Sequence, residues 1–191
     1  MMAANELDFQ FGGRLSLDLT WTLRYRSVAP TELLAAPSDL GRWITEAVAP
    51  VSEPLTAPDL ASAVELREAI YAGATSRLAG EDVVRGVRRI INDWAARPAP
   101  FSLLGGRTGT SRHLRPSAEV ESALAAVALD AVDLLASNDG RVRLCEGPGC
   151  SLVFYDSSRP GNRRWCSTER CGNRVNTTTY RRRRAVKKPN T

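Results

Sequence analysis

The sequence predicts a mainly α amino-terminal domain with a small β-hairpin element, followed by a small carboxy-terminal module made of a β-hairpin plus a helix. Three observations carry that reading. Apolar residues recur at helical spacing in four segments of the first 140 residues. All four cysteines fall between residues 145 and 171. Charge also changes sign along the chain: residues 1–140 hold 13 Arg against 18 Asp and Glu, a net of −5, whereas residues 141–191 hold 13 Arg and Lys against 3 acids, a net of +10. The expected division is therefore 1–140 and 141–191, an acidic domain that carries a polyanion-binding module.

With 43% hydrophobic and 25% charged residues, the chain has the composition of a soluble protein with a core, not that of a disordered one. The opening "MMAANELDFQFGG" is acidic and lacks a continuous apolar run, unlike a signal peptide. No stretch approaches the roughly 18 apolar residues of a membrane span. The expectation is a cytoplasmic protein with no membrane partner.

The segment "LDFQFGGRLSLDLTWTLRYR" alternates in part, with Leu15, Leu17 and Leu19 on one side, and reads as a strand leading into a helix. In "SDLGRWITEAV", Leu40, Trp43, Ile44, Ala47 and Val48 share a helical face behind Ser38 or Asp39 as N-cap. The next helix has Thr56 as cap and Pro58 in its first turn, carries Leu60, Val64, Leu66 and Ile70, and stops at Gly80. "EDVVRGVRRIINDWAARP" turns Val83, Val84, Val87, Ile90, Ile91 and Trp94 inward and its arginines outward, with Pro98 as the stop. The glycines of "FSLLGGRTGTSRHLRP" mark a hairpin or loop, in which His113, the only histidine, is expected to be solvated. The last helix, "SAEVESALAAVALDAVDLLASNDG", has Ser117 as its cap and ends at "NDG".

Cys145, Cys150, Cys166 and Cys171 form C-x4-C, fifteen residues, then C-x4-C. Two close pairs joined by a hairpin are what a tetrahedral ion requires, each pair making a knuckle. The glycines and proline of "CEGPGC" suit the tight turn of the first knuckle. Four soft thiolates fit one Zn2+ best, though iron or an iron–sulfur cluster uses the same donors. Paired disulfides are the alternative, which a reducing cytosol disfavours. Four protein ligands leave no open position, so the metal is structural rather than catalytic. "RVRLC" and "SLVFYD" alternate like short strands, and Phe154, Tyr155 and Trp165 read as a mini-core over the metal. This is a treble-clef-like zinc-finger plan.

Cys171 is then expected in the first turn of a helix through "GNRVNTTTYRRRR", so the metal fixes where that helix starts and where its arginines point. Candidate nucleic-acid contacts are Arg163, Arg164, Asn173, Arg174, Asn176, Tyr180, Arg181, Arg182, Arg183 and Arg184, with Arg suited to guanine, Asn to adenine and the terminal cations to phosphates.

The cysteine spacing followed by Cys171-Gly172-Asn173-Arg174 resembles the CGNR zinc finger, over about residues 143 to 184. Proteins of that kind carry an amino-terminal ABATE domain, regarded as a ligand-sensing module of stress-related bacterial transcription regulators. The resemblance implies the same two-part architecture here. The family's early pattern "LDFVNT" and its later "LREAL" are similar to "LDLTWT" at 17–22 and "LREAI" at 66–70, with Trp21 standing where the pattern has Asn. Candidate ligand contacts are Asp18, Thr22, Arg24 and Arg67, each of which also has a plainer role in capping or ion pairing.

No catalytic constellation is visible, neither a phosphate loop, an HExxH motif nor a serine with a histidine partner, so no enzyme is expected. The expected function is transcription regulation, with DNA bound through the finger and a small molecule sensed by the helical domain. RNA or ribosome binding is the first alternative and a protein-interaction finger the second. A homodimer matches the symmetry of many regulator sites, but no sequence feature specifies one.

Overall fold

The structure is a computed structural model that describes residues 9, 10, 12–104, 109–137 and 139–173. Helix α1 (Leu15–Thr20) is the element around which the others assemble, and Ser16, Leu17, Asp18, Leu19 and Thr20 are all buried. The alternation of leucines here belongs to a helix and not to the expected strand. A strand would turn Ser16, Asp18 and Thr20 to water, whereas a helix enclosed on all sides needs a partner for each. Each has one. Ser16 donates its amide (2.9 Å) and hydroxyl to the Asp130 carboxylate. The Asp18 carboxylate accepts from the Gly12 amide, and the Thr20 hydroxyl donates to the Leu17 carbonyl at 2.7 Å.

A two-residue pairing of β1 (Leu23–Arg24) with β2 (Thr31–Glu32) follows, then α2 (Pro37–Ala47), α3 (Ala57–Leu78) and α4 (Arg85–Ala95). The cap of α2 lies ahead of the expected Ser38 or Asp39: Ala36 is the boundary residue, and Asp39 reaches back to accept from the Ala35 and Ala36 amides. Thr56 caps α3 as expected, with the Asp59 carboxylate returning to the Thr56 amide at 2.8 Å, and Gly80 closes the helix at φ +74. In α4, Ile91 and Trp94 are buried, but Val84 stands at the helix boundary and is exposed rather than inward.

The glycine-rich segment forms the expected hairpin, β3 (Phe101–Leu104) paired antiparallel with β4 (Thr110–His113), where His113 is exposed. Helix α5 (Glu119–Ala136) is buried on most of its surface, with Ala123, Ala125, Ala126, Ala128 and Ala131 letting neighbouring helices approach closely. Ser117 is not its cap. That residue adopts φ 60, and Glu119 instead accepts from the Ser52 and Glu53 amides, tying the start of α5 to the segment before α3. Leu40, Trp43, Ile44, Leu66, Ile70, Ile91, Leu124 and Val127 form the main core.

The carboxy-terminal module contributes the antiparallel pair β5 (Val142–Leu144) and β6 (Val153–Tyr155) and a five-residue π-helical turn, Thr168–Gly172. It packs directly on α1 and α3. Val153 joins Leu17, Ala74 and Leu134 in one apolar cluster. Trp21, at the end of α1, joins Cys145, Leu152, Phe154, Cys166 and Cys171 in another and donates its indole N–H to the Val153 carbonyl at 2.6 Å. Tyr71 on α3 donates to the Ser151 carbonyl at 3.0 Å, and the Arg26 amide donates to the Ser151 hydroxyl at 2.9 Å. Trp21→Phe keeps most of the packing but leaves a buried carbonyl without its donor. The expected cost is about 1–3 kcal/mol, read by urea unfolding, with faster amide exchange in β5 and β6 than in α2.

Candidate metal centre and nucleic-acid surface

The β5–β6 hairpin builds the first knuckle. The Cys145 amide donates to the Leu152 carbonyl at 2.9 Å, so the hairpin continues up to the first ligand. The Cys150 amide then closes a turn on the Gly147 carbonyl at 2.9 Å, with Gly149 at φ +69, a conformation suited to glycine. In the second knuckle the Ser167 hydroxyl accepts from the Arg170 amide at 3.1 Å and starts the turn that presents Cys171. The Glu146 amide donates to the Arg164 carbonyl at 3.0 Å, joining one knuckle to the other.

The four Sγ atoms lie within 4.8 Å of one another. Cys166 Sγ and Cys171 Sγ are 3.7 Å apart, and a tetrahedron with Zn–S bonds of about 2.3 Å has edges of about 3.8 Å. The Gly147 and Cys166 amides point at Cys145 Sγ, at 3.4 and 3.2 Å, the donors a thiolate needs. Among the sulfurs themselves, the Cys150 and Cys166 thiols donate toward Cys145 and hold its pKa far down, at about 2. The same contact with Cys145 pushes the Cys150 thiol up to about 12 and the Cys166 thiol higher still. Four sulfurs this close do not all ionise without a cation among them, and a divalent ion supplies the missing charge.

Two family models account for the chain. Residues 141–184 match the CGNR zinc finger, and residues 13–138 match ABATE, described as a "putative stress-induced transcription regulator". The chain belongs to the ABATE family. Its ABATE region is followed directly by the CGNR finger, whose four cysteines hold one structural zinc. No curated protein matches the chain. Among the described residues, no helix is long and apolar enough to cross a membrane.

The sequence marks Gly147 only as one of the turn glycines of "CEGPGC", yet it is among the most constrained residues of the finger. A Cβ on it would stand 2.7 Å from Cys171 Sγ and 2.9 Å from Cys171 Cβ. A zinc ligand has no freedom to move aside. Gly147→Ala is expected to lower zinc affinity by about 10- to 100-fold, measured by competition with a chromogenic chelator.

Several arginines of the finger are structural. Arg163 donates to the Cys166 carbonyl at 2.6 Å and lies over the Phe154 ring at 5.2 Å, stapling the second knuckle to the mini-core. The Arg163 amide and Ser158 amide donate to the Asp156 carboxylate at 2.7 and 2.9 Å. Asp156 is fully buried; burial alone would raise its pKa, but the bonds from Ser158 and Arg163 outweigh it and hold the carboxyl at about 2. Arg141 donates to the Asp156 and Ser158 carbonyls and Arg143 to that of Gly161. Arg164 is exposed, paired with Glu146 at 2.6 Å and stacked 4.6 Å over Trp165. Phe154 and Trp165 pack on the cysteines, whereas Tyr155 turns away to Asp139 and to Arg14. Asn173 is exposed at the end of the turn. Arg174, Asn176, Tyr180, Arg181, Arg182, Arg183 and Arg184 lie outside the described residues.

The candidate ligand contacts separate into three places. Arg67 is 2% exposed; it forms a two-pronged pair with Glu32 at 2.7 and 2.8 Å, reaches Glu68 at 2.8 Å and donates to the Thr22 hydroxyl at 3.2 Å. These groups are partners of one another. Arg24 lines a small recess over the cysteines with Tyr25, Cys150 and Arg170. Asp18 stands apart in α1, where burial, with Asp130 adding to it, raises its pKa to about 7 against the Gly12 hydrogen bond. In an unfolded chain this carboxyl titrates near 4. The folded state therefore holds the proton more tightly, and stability decreases as pH rises from about 4 through about 7. Asp18→Asn, which keeps an acceptor for Gly12, is expected to raise the melting temperature at pH 8 and leave it nearly unchanged at pH 4, read by thermal denaturation across pH.

Proposed function

We propose that this ABATE protein is a DNA-binding transcription regulator, a binding protein rather than an enzyme, in which the zinc finger sets the direction of the basic carboxy-terminal segment. One observation carries the reading. The cysteine cluster fixes the Thr168–Gly172 turn, and beyond Asn173 the sequence holds seven Arg and Lys and no acid. Because Arg141, Arg143 and Arg163 are engaged with carbonyls of the finger itself, affinity for phosphate rests mainly on that segment, with Arg164 and Asn173 beside it.

Small-molecule sensing by the ABATE region is supported by a cleft of about 330 Å³ beside α2, lined by Gly41, Arg42, Thr45, Val51 and Leu55 among others. Asp18, Thr22 and Arg67 do not line it. The effector is read as a small molecule that places its apolar part on Val51 and Leu55.

The test is binding of zinc-loaded protein to duplex DNA across a salt series, with a single-stranded RNA competitor and a Cys166→Ser variant. About six phosphate contacts give a log–log slope near −5, and the variant is expected to lose binding along with its zinc. Preferential capture by RNA moves the reading to an RNA-binding module. Absence of binding at low salt removes it in favour of a protein-interaction finger.

A further inference from the structure

The ABATE region is acidic as a whole, but its charge is unevenly spread. Between Asp82 and Glu119 the sequence has seven Arg and a single acid, Asp93. The structure collects most of these on α4 and the β3–β4 hairpin. Arg85, Arg88 and Arg89 fall three and four residues apart on α4 and are all exposed, whereas Ile91 and Trp94 are buried. The C-terminal end of α4 meets the start of α5, where Arg97 pairs with Glu121 at 2.6 Å and stacks on Trp94, and the hairpin leads out from there. Arg115 donates to the Ala99 carbonyl and lies over Phe101. Arg85, Arg88, Arg89 and Arg112 have no carboxylate partner among the described residues.

The hairpin is unusual in what it leaves open. From Ser102 to Leu104, and from Thr110 to His113, every residue is exposed, and Leu104 is 87% exposed. A two-stranded ribbon with neither face packed gains little stability from its own pairing. Its register puts Ser102 opposite Arg112 and Leu104 opposite Thr110, so one face carries a cation, two hydroxyls and an apolar side chain, with no acid. Those are the group types that suit a nucleic-acid groove. A two-stranded ribbon fits the major groove, arginine pairs with phosphate, and an exposed apolar side chain meets a thymine methyl or a base step.

We propose that α4 and the β3–β4 hairpin form a second duplex-DNA contact surface, separate from the finger, with Arg88, Arg89 and Arg112 on phosphates and Leu104 in a groove. The inference rests on the reading of this protein as a DNA binder and extends it to the ABATE region itself. Charge complementarity selects the occupant, since this surface is basic within a region whose net charge is −5.

The experiment compares the zinc-loaded full chain with two variants, Arg88→Gln/Arg89→Gln and Leu104→Ser/Arg112→Gln, in salt-series binding to a long random duplex. Zinc content, thermal unfolding and sedimentation are measured in parallel. The changed side chains are exposed, so both variants are expected to fold and bind zinc as the parent does. Loss of two phosphate contacts makes the log–log slope shallower by about 1.8 in the first variant, and about half that in the second. If the parent binds DNA and both variants match its slope and affinity, the second surface is wrong and the finger reading stands. Should the parent itself fail to bind, the regulator reading falls first and takes this inference with it. A variant that weakens binding only by dissociating a dimer in sedimentation identifies the surface as an interface between copies, which overturns the proposal.

Discussion

The contact between the Trp21 indole and the zinc knuckles organises this molecule. A finger of some fifty residues has too little apolar surface to hold itself together, and metal ligation makes up much of the deficit. Here the domain also lends it a side chain. Trp21 packs with Cys145, Leu152, Phe154, Cys166 and Cys171, and its N–H satisfies the Val153 carbonyl on the neighbouring strand. The helix that delivers Trp21 is enclosed by α3, α5 and β6, so its polar residues all need internal partners. The zinc site and the helical core therefore share one boundary, and a disturbance at α1 reaches both.

That arrangement changes what the charge of the finger means. Its net of +10 looks like a uniform affinity for polyanions. Arg141, Arg143 and Arg163 instead serve as donors to carbonyls that the short strands and loops leave unpaired, and Arg170 reaches Gln10 in the amino-terminal region. In a module with little regular secondary structure, guanidinium groups complete the backbone hydrogen bonding. The cations that remain for an outside partner are displaced toward the end of the chain and, on the reading proposed here, onto α4 and the hairpin beside it.

The zinc ligands, the β5–β6 hairpin and the α3 boundaries were legible from sequence because each rests on local chemistry: paired thiols at knuckle spacing, alternation, and a Thr-x-x-Asp cap. The strand expected over Leu15–Leu19 failed because periodicity assumes one wet face, and α1 has none. The caps at Ser38, Asp39 and Ser117 failed for a related reason. The side chains that secure those helix starts, Asp39 and Glu119, act from inside the helix on residues before it or across from it. The bond from Arg163 to the second knuckle and its place over Phe154 were not legible, because charge is visible in a sequence and proximity in space is not. What Gly147 and Trp21 touch was not legible, because their importance is a matter of close approach, which only the folded chain reveals. Trp21 did leave one trace, as the departure from the pattern "LDFVNT", and that departure coincides with the docking residue.

The four ligands are unequally buried. Cys145, Cys166 and Cys171 are buried, while Cys150 is only half-buried and borders the recess with Arg24, Tyr25 and Arg170. Dissociation of a metal–thiolate site proceeds one ligand at a time, and the ligand nearest solvent is the first to be intercepted. Cys150 is thus the ligand that a competing chelator meets first, and it meets it beside Arg24 and Arg170.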